Sequence, residues 1–246
     1  MKPRHVPLAR ALSKLGLASR TQAADWIRAG RVSVRGRVVK DPGHPVIPES
    51  GAIQVDGARV TRQARLIILL HKPKGVVTTR SDEKGRPTVY SLLKGIEQHL
   101  IPVGRLDFAT TGLLLLTNDT RFSAWLTDPE NEVPRTYLVT VRGEIEDETL
   151  ARLEKGVTDQ GEHLSADAVT LRKRSGRETH LTVRLVEGKN REIRRLFASA
   201  GHEVTRLKRV AFGNLELGDL PLGAYRELSP RELKKAFPSL KLGSKS

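Results

Sequence analysis

Residues 104–116 place one acidic residue in a turn directly before an uninterrupted run of leucines. Their sequence is GRLDFATTGLLLL, in which Asp107 precedes the apolar residues 113–116. The leucine run predicts a buried strand, so a hydrophobic core must lie directly behind the turn. Burying a carboxylate is costly unless its charge is compensated. An aspartate at this position is therefore either a structural cap or a group with a chemical task.

The charge of the chain indicates what it binds. The 246 residues include 43 Lys and Arg against 28 Asp and Glu, a formal net charge of +15. The excess is uneven, because residues 1–66 hold 13 basic and 4 acidic residues, a net charge of +9. Basic chains of this kind bind phosphate backbones or anionic membranes. Since the sequence has no long basic amphipathic helix, we expect a nucleic-acid partner and no membrane association.

Composition also excludes several kinds of chemistry. The chain has no cysteine, which excludes disulfides, thiolate catalysis and zinc bound by sulfur. The seven histidines lack metal-ligand spacing, so we predict no metal site. The apolar runs are too short to span a bilayer, and the basic N-terminus is not followed by a signal-peptide core. We therefore expect a cytoplasmic protein.

The first 60 residues predict two short helices followed by two hairpins. Gly16 ends the first helix, Ser19 opens the second with a capping box, and Arg35-Gly36 and Asp56-Gly57 form tight turns. Residues 15–39 resemble the small RNA-binding module named after a small-subunit ribosomal protein, the S-four-like domain. In that module the second helix and the following turn face RNA. The alternative for these arginines is a solvated basic face. The resemblance implies RNA contacts by Arg20, Arg28, Arg31, Arg35 and Arg37.

The pattern changes at Leu66, where several strands with few intervening helices begin. Residues 66–70, 76–79, 136–141, 179–186, 204–210 and 224–228 predict strands, and residues 147–155 and 193–200 predict helices. This order favours an α+β domain with a mainly antiparallel mixed sheet flanked by helices. We expect an RNA-binding domain at 1–65, a larger domain at 66–240, and a flexible tail at 241–246.

Four segments of the larger domain, taken in order, are similar to the RsuA family of pseudouridine synthases. They are KPKG at 72–75, GRLD with TGL at 104–113, RTYLV at 135–139, and EGKNREIRR at 187–195. Residues 82–93 further resemble the branch that acts on large-subunit ribosomal RNA, especially its B type. Two positions depart from the family pattern, because Arg135 replaces the usual Lys and Glu192 stands where Gln is common.

The resemblance implies a site and a reaction that isomerises uridine without a cofactor. Asp107 would be the catalytic carboxylate, which either attacks C1′ of the ribose or removes a ribose proton. Arg194 would be its basic partner, and Tyr137 would stack on the target base. Arg105 would fill the space left by the flipped nucleotide, or else make a structural hydrogen bond within the turn. Other basic residues are expected to contact the RNA backbone: Lys72, Lys74, Arg191, Arg195, Arg206, Lys208 and Arg209.

The resulting expectation is an enzyme that converts a specific uridine of 23S ribosomal RNA, acting as a monomer on ribosomal RNA or a pre-ribosomal particle. Two alternatives stay open. The same chemistry can act on small-subunit ribosomal RNA or transfer RNA. A non-catalytic RNA-binding or ribosome-assembly protein would have the same charge and N-terminal module, but would not need Asp107, Tyr137 and Arg194 together.

Overall fold

A computed structural model describes residues 5–240, apart from the side chain of Glu49. The predicted tail at 241–246 lies outside the described residues. The chain forms two compact units, the first comprising the chain up to Ile67 with Ile96–Ile101 and Thr117–Thr120. The second comprises Ile68–Gly95, Pro102–Leu116 and the chain from Arg121. The predicted domain limits stay predictions. Within residues 5–240, no helix combines the length and apolarity needed to cross a membrane.

The first unit starts with two short helices and continues as short strands. Its elements are β1 (Val6–Pro7), α1 (Leu8–Lys14), α2 (Arg20–Arg28), β2 (Val32–Val34), β3 (Arg37–Val38), β4 (Pro45–Val46), β5 (Ile53–Val55) and β6 (Ala58–Arg59). Strands β3, β2, β5 and β6 form an antiparallel sheet in that order. The helices bury Leu8, Leu12 and Ile27 in a core shared with Ile53 of the sheet.

Local sequence signals account for the shape of this unit. The Ser19 hydroxyl accepts a hydrogen bond from the Gln22 amide at 3.1 Å, as the predicted cap requires. Both predicted hairpin turns have positive φ at their two central residues, 51° and 80° at Arg35-Gly36 and 50° and 79° at Asp56-Gly57. These angles are typical of a primed turn, which matches the right-handed twist of the strands.

The remaining elements build a larger sheet with helices. They are β7 (Ile67–Lys72), β8 (Ile101–Pro102), β9 (Thr111–Thr117), α3 (Thr120–Thr127), β10 (Arg135–Arg142), α4 (Asp147–Lys155), β11 (Val157–Asp159), β12 (Glu162–Leu164), β13 (Ala168–Arg174), β14 (Glu178–Leu185), α5 (Glu192–Ala198), β15 (Val204–Phe212), β16 (Leu215–Glu216), β17 (Tyr225–Glu227) and α6 (Pro230–Ala236). The strand order is β13-β14-β10-β15-β9-β7-β17, with β16 beside β15 and β8 beside β9.

The sheet is mixed and mainly antiparallel, which confirms the predicted α+β class. Strand β10 pairs antiparallel with β14 and β15, whereas β15 runs parallel to β9. The parallel contact is very close at Gly112, which has φ of 111° and where a Cβ atom would lie 2.1 Å from the Arg209 carbonyl oxygen. Glycine is required at this point of the TTG motif because any side chain would collide with the neighbouring backbone.

The helix that follows β14 packs on the middle of this sheet. Helix α5 buries Ile193, Leu196 and Phe197 in a core with β10, β14 and β15. The strand predicted at residues 76–79 is wrong, because only Val77 forms a bridge, to Thr88. Proline and glycine at 73 and 75 break the chain before it can continue as a strand.

Candidate active site

The loop between β8 and β9 carries Asp107 and is held by its backbone. The Thr110 amide donates to the Asp107 carbonyl at 3.0 Å, and the Gly75 amide donates to the Phe108 carbonyl at 2.9 Å. The Thr78 hydroxyl donates to the Leu106 carbonyl at 2.8 Å. These bonds fix the main chain and leave the Asp107 carboxylate itself free, with 33% of the side chain exposed.

Lys72 anchors the same loop from the end of β7. Its side chain is fully buried, and its ammonium donates to the carbonyls of Pro73, Asp107 and Thr110 at 3.0, 3.1 and 2.9 Å. Burial lowers the pKa of Lys72 to about 8, and the nearby Asp107 charge partly opposes that change. The prediction that Lys72 contacts the RNA backbone is wrong, because its donors are used inside the protein.

Arg194 on α5 faces the free carboxylate. Its Nε lies 3.8 Å from Asp107 Oδ2, and 15% of its side chain is exposed. One terminal nitrogen donates to the Val204 carbonyl at 2.8 Å, which fixes the guanidinium, while Nε has no hydrogen-bond partner. Burial lowers the pKa of Arg194, and the Asp107 charge counters this. The structure thus brings together the predicted acid and base, separated by 87 residues in the chain.

Asp107 and Arg194 open into a pocket of about 350 Å³ whose wall includes Tyr137. Tyr137 pairs with Arg209 across β10 and β15, and direct cross-strand partners share one face of a sheet. Tyr137 also packs against the apolar core beneath α5. All three residues predicted to be catalytic therefore line one cavity of a size suited to a small ligand or a nucleoside.

Several buried polar groups in the pocket wall have no partner. Of the five unpaired buried side-chain atoms among the described residues, four belong to residues that line this pocket: Thr110, Glu192, Arg194 and Arg209. Native proteins pair nearly all buried polar groups, so these four atoms keep the capacity for one further hydrogen bond each. Within residues 5–240, no cluster of His, Asp or Glu could hold a metal ion.

Sequence reasoning missed a carboxyl pair beside the pocket. Glu192 is buried, accepts a hydrogen bond from the Lys189 amide at 3.1 Å, and lies against Glu187. Burial and the neighbouring Glu187 raise the pKa of Glu192 to about 7. Burial raises the pKa of Glu187, but the hydrogen bonds from Lys189 and Glu192 outweigh it and lower that pKa. Below about pH 7 the two carboxyls therefore carry a single negative charge. The sequence signal for this carboxyl pair was Glu192, which stands where Gln is common in the family.

Two further arginines that were predicted to contact RNA make contacts within the protein. Arg209 is buried, and its Nε donates to the Leu113 carbonyl at 2.7 Å behind the pocket. Arg195 forms ion pairs with Asp159 and Glu162 at 2.6 and 2.5 Å. These contacts fix both guanidiniums within the protein, and the predicted contacts of Arg209 and Arg195 with the RNA backbone stay predictions.

The other residues of the larger unit that were predicted to contact RNA lie in different places. Arg105 and Arg191 are exposed and line the pocket, and Lys74 is exposed two residues after the buried Lys72. Lys208 pairs with Leu138 and lines a second cavity with Thr136. Adjacent residues of a strand point to opposite faces, so Lys208 lies on the face away from Tyr137. Arg206 is exposed on the same strand.

The first unit exposes all of its predicted RNA-binding arginines. Arg31 is held by Asp56 at 2.5 Å and Arg28 by Asp25 at 3.4 Å. Three others are exposed and have no ion pair within the described residues: Arg20, Arg35 and Arg37. Two of the three flank the turn of the β2–β3 hairpin, which therefore presents concentrated positive charge to solvent.

Both parts of the chain match families of known proteins. Residues 66–199 match the family model for RNA pseudouridylate synthase, and residues 6–48 match the S4 domain. The ribosomal large subunit pseudouridine synthase B of Bacillus subtilis (strain 168) is 40% identical over 93% of this chain and 94% of its own. An uncharacterized RNA pseudouridine synthase of Aquifex aeolicus (strain VF5) is 37% identical over 96% of both chains.

A solved structure extends the agreement to the fold. The crystal structure of a pseudouridylate synthase superimposes with a TM-score of 0.64 and 30% identity, over 94% of this chain and 99% of that one. Fold, pocket and sequence point to the same assignment. The chain, with its N-terminal S4 domain, belongs to the RNA pseudouridylate synthase family.

Proposed function

We propose that this chain isomerises a specific uridine of 23S large-subunit ribosomal RNA to pseudouridine. The observation that carries the proposal is the free Asp107 carboxylate, which opens into a pocket with the Arg194 guanidinium 3.8 Å away. The similar protein of Bacillus subtilis is named for the large ribosomal subunit, which supports the choice of RNA.

The reaction rearranges uridine without any net change in composition. The N1–C1′ bond breaks, the uracil turns, and C5 bonds to C1′ while C5 loses a proton and N1 gains one. No oxidant, reductant or carried group is consumed, so side chains suffice. Asp107 acts either as the nucleophile at C1′ or as the base that removes a ribose proton, and both routes require its ionised form. The Arg194 guanidinium lies 3.8 Å from the oxygen that would carry that charge.

The other pocket residues receive the flipped nucleotide. Removing a base from its stack costs a few kcal/mol, which contacts inside the pocket must offset. Tyr137 supplies an aromatic face for the uracil, and the exposed Arg105 enters the vacated stack. Because Asp107, Tyr137 and Arg194 come from one chain, a single copy holds the whole site, and we propose that the protein acts as a monomer.

The S4 domain provides binding without chemistry. Its exposed Arg20, Arg35 and Arg37 contact the phosphates of ribosomal RNA or of a pre-ribosomal particle, an attraction that salt weakens. We propose that this occurs in the cytoplasm, where such particles are assembled.

The test is direct conversion of transcribed ribosomal RNA. Incubated with large-subunit ribosomal RNA, the wild-type protein should create pseudouridine at one position, mapped by carbodiimide labelling and reverse transcription. Asp107→Asn should bind the RNA but convert it at least about 10³-fold more slowly. Asp219→Asn makes the same change at an exposed carboxyl and should leave the rate unchanged. Conversion by Asp107→Asn, or conversion of small-subunit or transfer RNA alone, would overturn the proposal.

A further inference from the structure

An aromatic ring lies exposed beside the reactive carboxylate. The side chain of Phe108 is 42% exposed, whereas Leu106 and Thr110 of the same loop are buried. The backbone cannot turn the ring inward, because the Phe108 carbonyl is held by the Gly75 amide at 2.9 Å. A single exposed apolar residue is ordinary by itself. Phe108 differs from such residues in its position and in what restrains it.

The restraint is Arg86, whose guanidinium lies 5.4 Å from the centre of the Phe108 ring. Arg86 is itself fixed, because its Nε and a terminal nitrogen donate to Asp82 at 3.0 and 2.6 Å, and its amide donates to Asp82 at 2.9 Å. These bonds lower the pKa of Asp82 to about 2, so the pair stays charged. The fixed cation therefore favours ring orientations that contact it, which reduces the entropy lost on binding.

The surroundings of the ring are positively charged. Lys84 and Arg105 are exposed two and three residues before Arg86 and Phe108, and the exposed Lys74 precedes Gly75, whose amide donates to the Phe108 carbonyl. Aromatic rings set among cations are the means by which proteins stack on the bases of nucleic acids, since every base has a π-face. When a target uridine leaves its stack, the neighbouring base loses a partner, and a fixed ring beside Asp107 offers a replacement.

We infer that Phe108, backed by Arg86, stacks on a nucleobase adjacent to the target uridine. The inference rests on the proposed function and deepens it, because it assigns a second base contact outside the pocket. Losing the stack on one base should raise KM roughly tenfold.

Steady-state conversion of large-subunit ribosomal RNA tests the inference with graded variants. Phe108→Ala and Phe108→Leu should each raise KM about tenfold, whereas Phe108→Trp, which keeps an aromatic face, should stay near wild type. Leu222→Ala, at a side chain 62% exposed elsewhere, should leave KM unchanged. A wild-type KM in Phe108→Ala would overturn the inference. So would full activity in Phe108→Leu, because an apolar wedge would then suffice.

A second measurement reports stacking itself. A synthetic RNA spanning the mapped uridine carries 2-aminopurine at the adjacent position and is bound by the Asp107→Asn protein. Adding Phe108→Ala should raise the 2-aminopurine fluorescence, since an unstacked base is less quenched, and equal fluorescence would contradict the stacking. The two failures are distinguishable. The proposed function fails if wild type converts no uridine, whereas the stacking fails if wild type converts RNA and Phe108→Ala matches it.

Discussion

The pocket of the larger unit and the hairpin surface of the S4 domain use arginine and lysine in opposite ways. Lys72 is buried under the Asp107 loop and Arg209 in the pocket wall, where both donate to backbone carbonyls, and Arg194 faces Asp107. On the hairpin, Arg35 and Arg37 are exposed to solvent. The same residue types therefore fix geometry in one region and supply charge in the other. Changes in the pocket should alter stability and turnover, and changes on the hairpin should alter affinity and its dependence on salt.

The largest effect on stability is expected from Lys72→Met. The change removes the Lys72 donor from the carbonyls of Pro73, Asp107 and Thr110, of which Asp107 keeps only the Thr110 amide, so the free energy of unfolding should fall by about 2 to 4 kcal/mol. Urea unfolding measures it. Lys74→Met is the matched control, because this exposed side chain should change stability by no more than about 0.5 kcal/mol. Equal effects of the two variants would remove the distinction between buried and exposed lysines.

A pH-dependent effect is expected from Glu192→Gln. The pKa of Glu192 is raised to about 7 in the folded protein, so the folded state holds a proton that the unfolded state has already lost. Wild-type stability should therefore fall as pH rises from about 4.5 to 7, and the loss should be complete above that range. Glutamine cannot ionise, so Glu192→Gln should gain on the order of 2 kcal/mol relative to wild type between pH 5 and pH 8.

Thermal or urea unfolding at several pH values checks this prediction. Glu216→Gln makes the same change at an exposed carboxyl and should keep the wild-type pH dependence. Parallel stability curves for wild type and Glu192→Gln would show that the buried carboxyl does not hold the proton.

The smallest effect is expected from Arg35→Glu combined with Arg37→Glu. Affinity for large-subunit ribosomal RNA should fall on the order of tenfold at low salt, and the slope of log K against log salt should decrease by about 0.7 to 0.9 for each lost phosphate contact. Filter binding across salt concentrations measures both. Folding stability and turnover at saturating RNA should not change.

The control for the hairpin is a charge-neutral change in the same unit. Arg31→Gln with Asp56→Asn removes an ion pair and leaves the net charge as it was. We expect its salt slope to match wild type, because Arg31 is already neutralised by Asp56. If the hairpin variant also kept the wild-type slope, its arginines would serve only solubility.

Much of the fold could be predicted wherever local chemistry decides it. Helix α4 begins and ends at the predicted residues, and both hairpin turns follow from residues that tolerate positive φ. Helix α3 was missed because it is only eight residues long, with no acidic residue in its first turn and no basic residue in its last turn. Strand β13 was missed because it lies at the sheet edge and is mostly exposed, so tertiary pairing with β14 decides it.

The residues of the proposed reaction could be predicted from the motifs, whereas the burial of individual basic residues could not. Motif order identified Asp107, Tyr137 and Arg194, which the structure brings to one pocket. A sequence does not reveal whether a basic residue ends in solvent or under a loop. The buried run of β7 directly before Lys72 was the available signal, since a cation at the end of such a strand is buried with it.

The position of β15 in the sheet determines when the sheet around Asp107 and Arg194 can be completed during synthesis. This strand lies between β10 and β9, although it is made after both. Until residues 204–212 leave the ribosome, β9 and β10 lack their shared neighbour, and Arg194 lacks the Val204 carbonyl that fixes it. Contacts so distant in sequence form late in folding. A growing chain therefore carries the Asp107 loop before the sheet and the Arg194 contact beside it are complete.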